Sequence, residues 1–120
     1  MKILVTGAAG FIGFHLSIYL LKRGDDVVGL HNLNDYYDVT LKTDRLDILR
    51  NHQNFVFIKA DLSDRAAVEK AFAEHRFDRV INLAAQAGVR YSIENPRAYI
   101  DANIAGFMKV ADSMLDQGVI

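Results

Sequence analysis

The amino-acid sequence predicts an α/β fold, a three-layer sandwich built on four parallel strands in the order 3-2-1-4. Three observations carry that expectation. The run Ile3-Leu4-Val5 is apolar at consecutive positions, which suits a strand covered on both faces. Glycines at positions 7, 10 and 13 follow it at once and lead into an apolar helical stretch. Downstream, strand-like and helix-like segments alternate as β-α-β-α-β-α-β-α, and right-handed crossovers then set the strand order.

The stretch from Lys2 to Arg23 organises the rest. Gly7 can take backbone angles that a Cβ forbids, Gly10 lets a pyrophosphate approach the backbone, and Gly13 lets the helix sit close to the strand. Free N–H groups at the helix start then face the phosphates. The spacing is one residue wider at its first gap than the usual dinucleotide fingerprint, so the surrounding pattern has to support it. A membrane anchor is the competing reading, because Ile3 to Leu21 holds no formally charged residue and is flanked by Lys2 and Lys22-Arg23. Three glycines, Thr6, His15 and Ser17 dilute that run, no small-residue cleavage site follows, and the α/β pattern needs it as its central strand.

Composition agrees with one compact domain: 120 residues, 51% hydrophobic, 24% charged and a single proline. A formal charge of −1, with dispersed Lys and Arg, gives no electrostatic footprint for nucleic acid or an anionic membrane, and neither partner is expected. There is no cysteine for a disulfide or thiolate site, and His15, His31, His52 and His75 lack ligand spacing. Cytoplasm is the default expectation.

In chain order, the first helix is expected over residues 11–23, with Ile12, Leu16, Tyr19 and Leu20 as its inward stripe and Gly24 as its end. Residues 26–30 form the second strand, followed by a polar loop over 31–38. A second helix is expected over 41–50 and a third strand over 54–60. Ser63 then caps a third helix that holds Asp64 in its first turn and buries Val68, Ala71 and Phe72. Residues 79–83 make the fourth strand. The fourth helix has Asn95 as cap, Pro96 at its first position, the apolar series Ile100, Ile104, Phe107, Ala111 and Leu115, and Gly118 at its end. Strand order reverses between strands one and four, which opens a crevice at their carboxyl ends where the glycine turn lies.

The segments VTGAAGFIG, NLNDYYD, KADLSD and NLAAQAGVRYSIENP together resemble the start of the extended short-chain dehydrogenase/reductase family, the NAD-dependent epimerases and dehydratases of nucleotide sugars. Within it the UDP-glucuronate 4-epimerase branch is the nearest pattern. The resemblance covers essentially the whole chain, and the QAGVRYSIENP loop is far more specific than the glycines; the tail ADSMLDQGVI is less familiar. It implies a Rossmann-like domain over residues 1–120 with Gly7, Gly10, Phe11, Ile12 and Gly13 around the NAD pyrophosphate. Asp61 and Leu62 would border adenine, although Asp61 also fits a turn ahead of a helix. Ala84, Ala85 and Gln86 would line the nicotinamide-side ribose, or simply pack a strand end. Arg90 resembles an arginine near the UDP-sugar, where its guanidinium fork suits a diphosphate or a carboxylate; a surface pair with Glu94 is the other reading. Asn103 resembles an asparagine that braces the active site, and equally fits a solvated helix face. Tyr36 and Tyr37 read as loop packing or as flanks of the adenosine pocket.

Two departures from the family stand out. His31 occupies the end of strand two, where the family usually has an acidic residue for the adenosine ribose hydroxyls, and Asn32, Asn34 or Asp35 would have to compensate. The second is larger: none of the five tyrosines has lysine four residues later, so the Tyr-x-x-x-Lys pair of the family is not among these residues. In the family, tyrosinate takes the sugar O4 proton while NAD+ takes hydride from C4. The sequence therefore reads as an amino-terminal piece that stops before strand five, with no catalytic residue and no substrate domain, inactive by itself. A dinucleotide-binding module without chemistry, or another NAD-dependent sugar-nucleotide epimerase or dehydratase, is the alternative. A homodimer through the strand-four edge or the fourth helix is expected.

Overall fold

The computed structural model describes residues 1–33, 39–84 and 93–119; the candidates Asn34, Asp35, Tyr36, Tyr37, Ala85, Gln86 and Arg90 lie outside the described residues. The chain runs through β1 (Lys2–Thr6), α1 (Phe11–Arg23), β2 (Asp26–His31), α2 (Val39–Arg50), β3 (Phe55–Lys59), α3 (Arg65–Glu74) and β4 (Arg79–Asn82). After these come α4 (Pro96–Ile100), a π-helical turn (Asp101–Ala105) and α5 (Gly106–Gln117). The strands pair in parallel in the order β3-β2-β1-β4, as the alternation predicts. Val5 sits opposite Gly29 of β2 and Ile81 of β4, so β1 is central.

Successive β1 residues feed opposite layers, which is why its apolar run is unbroken. Ile3, Val5 and Val27 pack with Leu20 and Leu21 of α1 and Leu46 and Leu49 of α2. Leu4, Val28 and Leu30 pack with Val68 and Phe72 of α3 and Val110 of α5. The outer strands are less covered: Val56 on β3 is about half exposed.

Three local expectations need correction. In α1 the inward face is Gly13, Ser17, Leu20 and Leu21, whereas Ile12 and Tyr19 are exposed and Leu16 is half-buried. The helix lies so close to the sheet that small residues have to face it, and this rotates the apolar stripe away from the contact. The cap of α3 is Asp64, whose side chain accepts from the Ala67 N–H at 3.3 Å; Ser63 precedes it and instead donates to Asp61. In the last helical region Gly106, Val110 and Ser113 are buried, while Ile100, Ile104, Phe107 and Leu115 are exposed. Gln117 holds that orientation, donating to the Phe72 and His75 carbonyls at 2.8 Å each and accepting from the Phe77 N–H at 3.0 Å. Lys109 adds a 2.7 Å bond to the Ser63 carbonyl.

At the amino ends of the strands a small ion cluster closes the sheet. Asp25 accepts from Arg23 Nε at 2.7 Å and from the Met1 ammonium at 3.1 Å. The hydrogen bond from Arg23 is the main influence holding the Asp25 carboxyl below its usual value. Its sign is that of a carboxylate whose proton binds more weakly in the folded state. The cluster's stabilisation is therefore present above the ordinary aspartate range and is lost as pH falls through the lower folded value. Asp25→Asn is expected to lower stability at pH 7 and to weaken the decline between about pH 5 and pH 2. Urea unfolding of both proteins across that range checks it; an unchanged acid limb would refute the assignment.

Candidate functional site

The carboxyl end of β1 continues into the glycine turn. Gly7 has φ +73°, and a Cβ there would meet the Ala84 nitrogen and Leu83 carbonyl carbon at 2.9 Å. Its N–H donates to the Leu30 carbonyl at 2.8 Å and its carbonyl accepts from the Gly10 N–H at 3.0 Å. Gly13 is tighter, since a Cβ would lie 2.1 Å from the Gly7 oxygen. The helix backbone thus rests on the turn. Gly10 is the N-cap, extended at φ −73° and ψ 171°, with no side-chain cap and no acidic residue in the first turn. First-turn N–H groups have no partner within a helix, and the helix dipole makes that end favourable to negative charge. Phe11 and Ile12 stand exposed beside it, with the Phe11 ring edge-on to His15 at 4.9 Å between centroids. An uncapped glycine start on a 13-residue helix fits a phosphate group.

Thr6, fully buried, ties the two central strands together at the same end. Its hydroxyl donates to Asn82 Oδ1 and accepts from the N–H groups of Leu83 at 3.0 Å and Ala84 at 3.2 Å. The carboxyl ends of β1 and β4 are therefore fixed to each other, and Ala84 sits beside Gly7. Asn82 serves here as Thr6's acceptor.

His31 ends β2, half-buried, and the Leu33 N–H donates to its Nδ1 at 2.8 Å. Leu33 itself takes φ +54°, the left-handed region, where a branched side chain is uncommon. Burial, reinforced by the Lys42 cation, pushes the His31 imidazole down to about 4, so the ring is neutral at pH 7. Lys42 is itself buried in the first turn of α2. One turn on, Arg45 donates to the Ala9 carbonyl at 3.2 Å and lies 5.8 Å over the Phe11 ring. Asn32 is half-buried next to His31.

Asp61, after β3, accepts from Ser63 through both its N–H at 2.9 Å and its hydroxyl at 2.8 Å. All of that falls on Oδ1, so the turn role accounts for one oxygen. Leu62 buries its side chain in the core. Asn103 lies exposed in the π-helical turn, a feature that recurs at functional sites. The carboxyl ends of the strands thus gather Gly7, Gly10, Gly13, His31, Asp61 and Ala84.

Sequence reading missed Thr6, Lys42 and Arg45. For Lys42 a signal existed: positions 42, 46 and 49 share one helix face, and Leu46 and Leu49 mark it as the buried one. Among the described residues no group of three or more His, Cys, Asp or Glu is placed to hold a metal ion, and no helix is long and apolar enough to cross a membrane.

Comparison with known proteins gives a consistent picture. The family model described as GDP-mannose 4,6 dehydratase matches residues 4–119. Protein CapI of Staphylococcus aureus is 54% identical over 112 residues, covering 93% of this chain and 33% of CapI. A UDP-glucuronate 4-epimerase of Thermodesulfobacterium geofontis is 48% identical over 116 residues, covering 97% of this chain and 36% of that protein. Among solved structures, a UDP-glucuronic acid 4-epimerase of Bacillus cereus in complex with UDP-glucuronic acid and NAD superposes with a TM-score of 0.85 at 37% identity. The match covers 95% of this chain and 36% of that one. The chain spans about a third of the length of these proteins.

Proposed function

The chain belongs to the GDP-mannose 4,6 dehydratase family, and on that premise we propose that it is the NAD-binding part of a nucleotide-sugar epimerase of the UDP-glucuronate 4-epimerase type. The observation that carries this reading is the α1 start: a glycine N-cap without a side-chain cap, held over the crevice between β1 and β4. Gly7, Gly10, Phe11, Ile12 and Gly13 surround the pyrophosphate. The Asp61 carboxylate and the Leu62 backbone border adenine, Asp61 using the oxygen that Ser63 leaves. Ala84, Ala85 and Gln86 line the nicotinamide side, and Asn103 braces that end of the site. His31, Asn32, Asn34 and Asp35 face the adenosine ribose. Arg90 meets the sugar nucleotide.

NAD supplies the hydride acceptor and donor when bound. This chain's residues hold and orient it, while the acid/base pair of the family is not among its 120 residues. The purified 120-residue protein is therefore expected to convert no UDP-glucuronate to UDP-galacturonate, even with saturating NAD, since general acid/base help alone is worth about 10² to 10⁴-fold. A chromatographic assay that detects turnover above background would overturn this division of labour.

Binding is tested at Gly10. Its backbone angles suit any residue, so Gly10→Val should fold and yet block the phosphate approach. Calorimetry is expected to detect NAD binding to the wild type and none to the variant; equal binding would make the turn purely structural.

Assembly as a homodimer is part of the same proposal. Ile100, Ile104, Phe107, Met108 and Leu115 are each more than half exposed along α4, the π-helical turn and α5, an apolar surface that a second copy would cover. In the described sheet β4 is also an edge. Light scattering over a dilution series is expected to show a dimer that Phe107→Glu weakens; a strict monomer at high concentration would count against it.

A further inference from the structure

The turn Asp61-Leu62-Ser63 at the carboxyl end of β3 draws its shape from its own bonds. Ser63 donates to Asp61 Oδ1 through its N–H at 2.9 Å and its hydroxyl at 2.8 Å, and the Asp64 N–H donates to the Asp61 carbonyl at 2.9 Å. Asp61 and Ser63 are themselves exposed. Bonds within an exposed turn fix its shape but not its aim, which depends on contacts from other elements. One such contact is apolar: the Leu62 side chain lies in the core cluster that holds Val68 of α3 and Val110 of α5.

Lys109 of α5 supplies the polar one. Its Nζ donates to the Ser63 carbonyl at 2.7 Å, a charge-assisted length, from 46 residues away in sequence. Among the described residues no other side chain from outside the turn bonds to residues 61–63. Lys109 is half-buried, is the only basic residue of α5, and pairs with no carboxylate among the described residues. The bond to Ser63 is therefore what this ammonium makes, and not the by-product of an ion pair. Its stem has a fixed origin: the next residue, Val110, is buried against the sheet, and Gln117 ties the far end of the helix to the Phe72 and His75 carbonyls.

We infer that Lys109 is a positioning residue for adenine recognition: by holding the Ser63 carbonyl it sets the aim of the Asp61 carboxylate and the Leu62 backbone, acting through the turn and not on the cofactor. The inference rests on the dinucleotide reading of the crevice and extends it to a residue of the last helix. A turn already held in place binds without the cost of ordering it. A displaced turn loses the two contacts that tell adenine from other bases, the amino group donating to a carboxylate and a ring nitrogen accepting from an N–H. Contacts at the glycine turn are untouched. The signature of Lys109 is therefore base discrimination and not binding as a whole.

The test is calorimetric titration of the 120-residue protein with NAD+ and with its hypoxanthine analogue, in which a carbonyl oxygen replaces the adenine amino group. Wild type, Lys109→Met and Lys109→Arg are compared, with circular dichroism to confirm folding. The wild type is expected to prefer NAD+ by about tenfold or more, because the analogue leaves the carboxylate without its donor. Lys109→Met is expected to weaken NAD+ by about fivefold and the analogue by less than about twofold, so that the preference narrows. Lys109→Arg keeps a charged donor and should restore the preference. An unchanged preference in a folded Lys109→Met protein, or equal weakening of both ligands, overturns the inference. A wild type that binds both ligands alike also overturns it and leaves the glycine-turn reading standing; binding of neither overturns both. Lys109→Gln, too short to hold the carbonyl, gives the same readout if methionine is not tolerated.

Discussion

The contact between the α1 backbone and the Gly7 carbonyl is the constraint on which the rest depends. With a Cβ at Gly13 only 2.1 Å from that oxygen, the helix can occupy its place only because two glycines meet there. Close packing at this point tips the whole of α1, so that Ser17, Leu20 and Leu21 follow Gly13 onto the sheet and Phe11 and Ile12 are carried outward. It also keeps the first-turn N–H groups facing the crevice. Thr6 then fixes the opposite wall through Asn82, Leu83 and Ala84. The arrangement at the start of α1 therefore follows from backbone geometry and one hydroxyl.

Much of this was legible in the sequence because its signals are local. Gly24 at φ 98° and Gly118 at φ 78° end their helices where the punctuation places them, and α1 has the expected limits. Strand order followed from alternation and crossover handedness alone. Orientation of helices was less legible. An apolar stripe marks a buried face only when the helix stands off at an ordinary distance; where small residues bring it closer, the stripe faces elsewhere. That reason explains Ile12 and Tyr19, and again Ile104 and Phe107 opposite Gly106 and Ser113. The choice between Ser63 and Asp64 as cap was decided by Asp61, which takes the Ser63 hydroxyl for its own turn.

The π-helical turn at Asp101–Ala105 left no mark in the sequence. A helix that widens for five residues changes the phase between its two halves, so no single periodicity describes 96–117. Its second half is held by Gln117, which engages three backbone groups at once. One polar residue near the end of α5 thus helps to set which side of the helix meets the sheet, and Phe107, Met108 and Leu115 stay exposed.

The two ends of the sheet divide the work between them. At the amino end, polar groups are consumed by one another: Asp25 with Arg23 and Met1, and Asp78 with the Lys2 N–H at 2.7 Å. At the carboxyl end lie the start of α1 without a side-chain cap, and Asp61 and His31, whose bonds use Oδ1 and Nδ1. Substitution of the amino-end cluster should therefore alter stability with little effect on ligand, because its charges lie a full strand length from the glycine turn. At His31 the bond that accompanies the left-handed Leu33 backbone is also the bond that leaves the proton of the neutral ring on Nε2.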